Sequence, residues 1–122
     1  MSYLLSKRSA SVRDTLHPYL KKVIDRSIMI YDFSLLSGYR NESEQNFLFS
    51  SGKSQLCFPA SLHNKFPSQA FDVCPYPVDW HNIKEFERMS RVIFTVADDI
   101  GVKLVWGGNW DSFKDYVHFQ LA

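Results

Sequence analysis

The chain has 122 residues, the size of a single domain with one core and one site. Hydrophobic residues make up 45% and charged residues 22%, which excludes disorder, collagen-like repeats and coiled coil as descriptions of the whole. Fourteen Lys and Arg against thirteen Asp and Glu leave a formal charge of +1, too weak a field to argue for nucleic acid or an anionic membrane.

The opening Met-Ser-Tyr-Leu-Leu-Ser-Lys-Arg lacks the apolar run of a signal peptide, and no stretch approaches the ~20 apolar residues of a membrane span. Synthesis in a cytoplasm, with export by outside help, is the expectation. From Val12 to Tyr31, Leu16, Leu20, Val23, Ile24 and Ile28 recur at three- and four-residue steps, which predicts one amphipathic helix with Asp14 as cap and Pro18 in its first turn. Phe33 to Leu36 reads as a short strand ended by Gly38. Glu42 to Ser50 reads as a helix with Phe47 and Leu48 inward, stopped by Gly52. Ser54 to Ser68 has no period and contains Pro59 and Pro67, so it is expected to be a long functional loop.

Gln69 to Cys74 alternates as a strand and is followed by a Pro75-Tyr76-Pro77 turn. Trp80 to Ile100 reads as a second strong helix, with Ile83, Phe86, Val92, Ile93 and Val96 in register and Gly101 as its stop. Val102 to Trp106 and Val117 to Leu121 read as strands on either side of a Gly107-Gly108-Asn109 turn. Aromatic residues reach 16%, which calls for a well-filled core or an aromatic-walled cleft. Cys57 and Cys74 are too few for the framework of a small secreted domain, so free, partly buried thiols are expected. The order of elements implies an α+β domain with a small sheet covered by helices on one face.

Strand periodicity brings in the chemistry. Phe71 and Val73 share one face of their strand, which leaves Ala70, Asp72 and Cys74 on the other. Val117, Phe119 and Leu121 likewise leave His118 and Gln120 opposite. If helices cover the apolar face, Asp72 and His118 share the uncovered one, and His63 can fold back onto it from the long loop. Two His and one carboxylate form a common catalytic zinc set with the fourth position left open. Asp115 lies three residues before His118 and can converge with it only if the chain turns at Tyr116. A carboxylate there could take a proton from the attacking water and return it to a leaving amine. Arg40, after Gly38 and Tyr39, could stabilise negative charge on the tetrahedral intermediate or anchor a substrate carboxylate. Taken singly, Asp72 reads more readily as a solvated strand residue, Asp115 as a turn residue and Arg40 as a surface ion-pair partner. His17 and His81 read as helix-start or surface residues. The spacing alone reaches only a metallohydrolase.

Ser61-Leu62-His63 with Ala70-Phe71-Asp72, Trp106-Gly107-Gly108 and Asp115-Tyr116-Val117-His118-Phe119 resemble the signature of the zinc D-alanyl-D-alanine carboxypeptidase and L-alanyl-D-glutamate endopeptidase family, the VanY-like peptidases, and above all its small phage endolysins. The resemblance extends to Leu16-His17-Pro18-Tyr19-Leu20, Ser37-Gly38-Tyr39-Arg40 with Glu44-Gln45, Gly52-Lys53-Ser54 and Pro75 to Trp80. It implies His63, Asp72 and His118 as zinc ligands, Asp115 as catalytic base and Arg40 as the group that stabilises the polarised carbonyl. The fold it implies is Hedgehog/DD-peptidase-like: a small, mainly antiparallel sheet with helices on one face and the zinc site on the other. The chain departs from the usual Ser-x-His-x-x-Gly-x-Ala-x-Asp pattern. Its His63-to-Asp72 stretch is two residues longer, and Ser68 stands where Gly is usual.

The expected function is zinc-dependent cleavage of the L-Ala-D-Glu bond of the peptidoglycan stem peptide during phage lysis. The alternatives are a D-alanyl-D-alanine carboxypeptidase and a non-catalytic wall-binding module. Residues 1–122 are expected to form one peptidase domain without a separate wall-binding domain. It is expected to be a monomer, with no nucleic-acid partner and no stable membrane insertion, made in the host cytoplasm and acting on the cell wall after release.

Overall fold

The structure, a computed structural model, describes residues 3–122; Met1 and Ser2, the start of the segment read for a leader, lie outside the described residues. Its elements run α1 (Lys7–Arg13), α2 (Pro18–Ser27), β1 (Phe33–Ser37), α3 (Glu42–Ser50), β2 (Ala70–Pro75), α4 (Ile83–Asp99), β3 (Leu104–Trp106) and β4 (His118–Leu121), with single 3-10 turns at Leu62–Asn64 and Gly107–Asn109. The four strands form one antiparallel sheet in the order β1-β2-β4-β3. Among the described residues no helix is long and apolar enough to cross a membrane.

The helix expected from Val12 begins only at Pro18, and a separate short helix precedes it. Pro18 has no N–H to donate and its ring clashes with the carbonyl four residues back, so α1 stops at Arg13 and a new helix starts at Pro18. Asp14 therefore closes α1 rather than opening a helix, and the cap of α2 is His17, whose Nδ1 accepts the Tyr19 N–H at 3.1 Å. Helix α1 went unread in the sequence because its apolar residues are too few to show a stripe. It covers the outer strand, where Ser9 Oγ accepts the Leu35 N–H at 3.0 Å and so satisfies part of an otherwise open sheet edge.

Helices α2 and α4 pack on the apolar face of the sheet. Phe71 and Phe119 stack there at 5.3 Å, joined by Val73, Phe94, Leu20, Ile24, Met89 and Ile93. Burying such side chains supplies about 1.5–3 kcal/mol each. Gly101, with φ +77°, ends the turn after α4 in the left-handed region that only glycine enters without strain. Two inward assignments fail. Ile83, at the first position of α4, is exposed because the helix begins at the sheet's rim. In α3, Phe47 points outward with 66% exposure, and the residue turned inward is Gln45, fully buried. The Asn41–Glu44 capping box sets the phase of that helix, and the wall it faces is polar, so an amide fits where a phenyl ring does not. Both cysteines are free; Cys74 is buried, but Cys57 is exposed rather than partly buried.

Candidate metal centre and its cleft

Strand register puts Asp72 of β2 directly opposite His118 of β4, on the face away from α2 and α4. A bulge in β1 between Leu35 and Ser37 shifts Ser37 opposite the same Asp72. His63 arrives from the long loop, where Ser61 caps a 3-10 turn. Ser61 Oγ accepts the His63 N–H at 3.1 Å, and Asn64 Oδ1 accepts the Ser61 N–H at 3.0 Å. The Ser-x-His spacing is thus a cap holding the turn that carries the imidazole. The longer His63-to-Asp72 stretch is tied down at Ser68, whose N–H donates to Thr15 O at 2.8 Å and whose carbonyl accepts from the His17 N–H at 2.9 Å. A Cβ is tolerated there because the side chain is used: Ser68 Oγ donates to Ala70 O at 2.7 Å.

His63 is 1% exposed, and Asp72 and His118 are each 8% exposed. The His63 Nδ1–H donates to the Gly38 carbonyl at 2.7 Å, which leaves the Nε2 lone pair facing inward. His118 Nε2–H donates to Gln120 Oε1 at 2.8 Å, which leaves its Nδ1 lone pair facing the same point. His63 Nε2, His118 Nδ1 and Asp72 Oδ1 lie pairwise 3.3 Å apart. With the imidazoles in these tautomers three acceptor atoms converge, and such a buried group could hold a metal ion. Ligand atoms ~2.0–2.1 Å from a common centre at tetrahedral angles lie about 3.3–3.4 Å apart, so the set fits a divalent metal ion.

The charges agree with that fit. Burial alone would raise the Asp72 carboxyl, but hydrogen bonds with His118 and His63 and the charge of Arg40 outweigh it and hold the carboxyl well below the usual carboxylate range. Burial works against a charged His118, yet the Asp72 carboxylate and Gln120 move its pKa above the ordinary imidazole value. Positive charge is what this pocket is built to receive. Arg40 donates from Nη2 to Asp72 Oδ2 at 2.6 Å and from Nε to Ser37 Oγ at 3.0 Å. It thereby occupies the Asp72 oxygen that the imidazoles leave free.

A family model of phage L-alanyl-D-glutamate peptidases matches residues 1–120. The chain belongs to that family. Among solved structures, the Serratia marcescens L-Ala D-Glu endopeptidase ChiX matches with a TM-score of 0.83 at 28% identity, over 97% of this chain and 89% of that one.

In this member of the phage L-alanyl-D-glutamate peptidases the centre opens into a cleft of about 440 Å³, and His63, Asp72, His118, Arg40 and Asp115 all line it. Asp115 precedes a turn at Tyr116–Val117, and its carbonyl accepts the His118 N–H at 3.2 Å, so the chain bends between them as the spacing requires. Burial first, and then the charge of Asp72, push the Asp115 carboxyl above its ordinary value. Its backbone is held by Gly107, whose carbonyl accepts the Asp115 N–H at 3.0 Å and where a Cβ would meet Asp115 O at 2.4 Å. At Gly108 a Cβ would strike the Trp106 ring at 2.3 Å. The Trp-Gly-Gly motif is therefore a packing requirement under the Asp115 segment.

Sequence reasoning missed two supports. Gln45 accepts from Arg40 Nη1 and Asn64 Nδ2, and donates to Ser54 Oγ at 2.9 Å and Leu56 O at 2.7 Å, joining α3 to both loops at the cleft. Gly38 has to be small: a Cβ there would meet Thr15 Oγ1 at 2.4 Å, and its carbonyl is the one that orients His63. No periodicity marks a buried glutamine; the signal available for both was their place in the Ser37-Gly38-Tyr39-Arg40 and Glu44-Gln45 stretches of the family resemblance. A larger hollow of about 630 Å³ lies elsewhere, along α2 and α4, lined by Arg26, Met29, Ile30, Val96 and Asp99. Its Arg26–Asp99 pair at 2.9 Å is mutually satisfied and offers no converging acceptors.

Proposed function

We propose that this chain is a zinc-dependent endopeptidase that hydrolyses the L-Ala–D-Glu bond of the peptidoglycan stem peptide. Family membership over residues 1–120 and the likeness to the Serratia endopeptidase support the bond. The observation that carries the metal is the convergence of His63 Nε2, Asp72 Oδ1 and His118 Nδ1. Two imidazoles and one carboxylate are a common catalytic zinc set, with room left for water or substrate.

When bound, zinc supplies a Lewis acid that acidifies a water and polarises the scissile carbonyl. Gly38 and Gln120 keep the two imidazoles in the tautomers that ligation needs. Asp115 takes a proton from the attacking water onto its carboxylate and hands it to the amide nitrogen as the C–N bond breaks. L-Ala then leaves with a new carboxyl and D-Glu with a new amine. The raised pKa of Asp115 suits a group that must both take and return a proton. Arg40 is the proposed stabiliser of the charge that develops on the carbonyl oxygen. Its Nη1, held only by a 3.4 Å contact with Gln45, is the donor left for that task. In this reading a monomeric endolysin, made in the host cytoplasm, reaches the wall after release.

Digestion of purified peptidoglycan, with the new ends identified by mass spectrometry, tests the reading. Free L-Ala carboxyls and D-Glu amines are expected. Release of D-Ala alone would make the chain a carboxypeptidase, and wall binding with no new ends would make it a non-catalytic module.

A further inference from the structure

The cleft carries two permanent cations, and they differ. Arg40 is neutralised by Asp72 and tied to Ser37 and Gln45. Lys53 lines the same cleft and has no carboxylate within ion-pair distance among the described residues. Its position is nevertheless set. Gly52, at φ +78°, turns the chain sharply after α3. The Lys53 and Ser54 N–H groups then donate to the Leu48 carbonyl at 2.9 and 3.1 Å. Buried Gln45 anchors the next residues through Ser54 Oγ and Leu56 O. An unpaired ammonium is thus presented from a fixed base to a cleft that, with a divalent ion in place, is positive overall.

We infer that Lys53 is a specificity-determining residue that binds the free α-carboxylate of the D-Glu residue beside the scissile bond. The inference rests on the endopeptidase reading. Glutamate has two carboxyl groups, and the stem continues through the side-chain one, so the α-carboxylate remains ionised on the carbon that bears the scissile nitrogen. A cation that holds it places the amide over the centre without touching the reacting atoms. A lysine suits the task because its ammonium is a single compact charge on a flexible stem that adapts to a substrate arriving as part of a polymer. Ordinary endopeptidase substrates lack a carboxylate at that position, and amidating it removes the charge at nearly constant size.

The test compares two synthetic muramoyl peptides, one with L-Ala-γ-D-Glu and one with L-Ala-γ-D-isoglutamine, on wild type, Lys53→Gln and Lys53→Arg loaded with zinc. Wild type is expected to favour the carboxylate substrate by roughly five- to tenfold, mostly in KM, as one partly desolvated charge pair would give. Lys53→Gln should bring the two substrates toward equal kcat/KM, and Lys53→Arg should restore most of the preference. A third substrate, amidated only at its C-terminal carboxyl, should retain the wild-type preference. Equal wild-type use of the first two substrates, a Lys53→Gln effect of the same size on both, or sensitivity only to the C-terminal amide would overturn the assignment of Lys53 while leaving endopeptidase activity intact. Failure of wild type to cut any of the three would overturn the endopeptidase reading itself, and this inference with it.

Discussion

Both faces of β2 are buried along its whole length, yet they are held by different physics. On one, Phe71 and Phe119 stack against Phe94 and the side chains of α2 and α4. On the other, one residue along each strand, Asp72 and His118 meet His63 with three acceptors aimed at one point. The helix-covered face is satisfied by itself, because apolar contact asks for no partner beyond neighbouring carbon. The polar face is satisfied in part by Arg40, Gly38 and Gln120, and its remaining lone pairs could hold a cation. Stability and chemistry thus share the same two strands and are separated by the pleat.

That contrast can be broken from either side. Chelation acts on the polar face alone: exhaustive EDTA treatment should abolish peptidoglycan digestion, and stoichiometric zinc should restore it. The melting temperature should fall with the ion's removal, since a ligand held at ~1,000 times its Kd stabilises by about 4 kcal/mol. Undiminished digestion by metal-free protein would end the case for a catalytic metal. Asp115→Ala should lower kcat by about 10²–10⁴-fold while bound zinc and melting behaviour stay as in wild type. If metal analysis showed that variant empty, Asp115 would be a ligand rather than a base.

On the apolar face, Phe71→Ala should cost about 3–5 kcal/mol in urea denaturation, with the same loss measured in the presence and absence of chelator. A loss that depended on chelator would mean the two faces are coupled rather than independent. Gly107→Ala probes the support beneath Asp115. The added methyl must displace the Asp115 carbonyl, so kcat should drop roughly tenfold or more while zinc content holds. Retention of full activity would show that this close approach has slack. The smallest effect concerns the thiols. In the native protein a thiol reagent should label exposed Cys57 quickly and leave Cys74, whose thiol burial pushes above its ordinary pKa, until denaturant is added.

Much of this arrangement is written locally. Period-2 alternation in Ala70–Cys74 and His118–Leu121 assigns Asp72 and His118 to the same side of their strands before any pairing is known, because successive side chains must point to opposite faces. The apolar stripe from Leu16 to Ile28 and the one in α4 announce their helices for the same kind of reason. The family likewise follows from short motifs whose order holds along the chain. Pro18 in the first turn was legible too, and it is the first residue of α2; the helix starts later than the stripe because Leu16 belongs to the turn before it.

Other features belong to tertiary structure because their causes lie far away in the chain. Gln45 is buried and Phe47 exposed since the wall opposite α3 is built from Arg40, Asn64 and Ser54, and nothing inside the helix encodes what it will face. The pairing of Arg40 with Asp72 spans 32 positions, and no local pattern in either segment announces it. The sequence by itself determined which residues are able to ligate, which face of each strand they occupy and to which family the chain belongs, since periodicity and motif are local properties. Only the tertiary structure decided that three lone pairs meet at 3.3 Å, because that spacing is set by strand register, a bulge and a capped turn acting together.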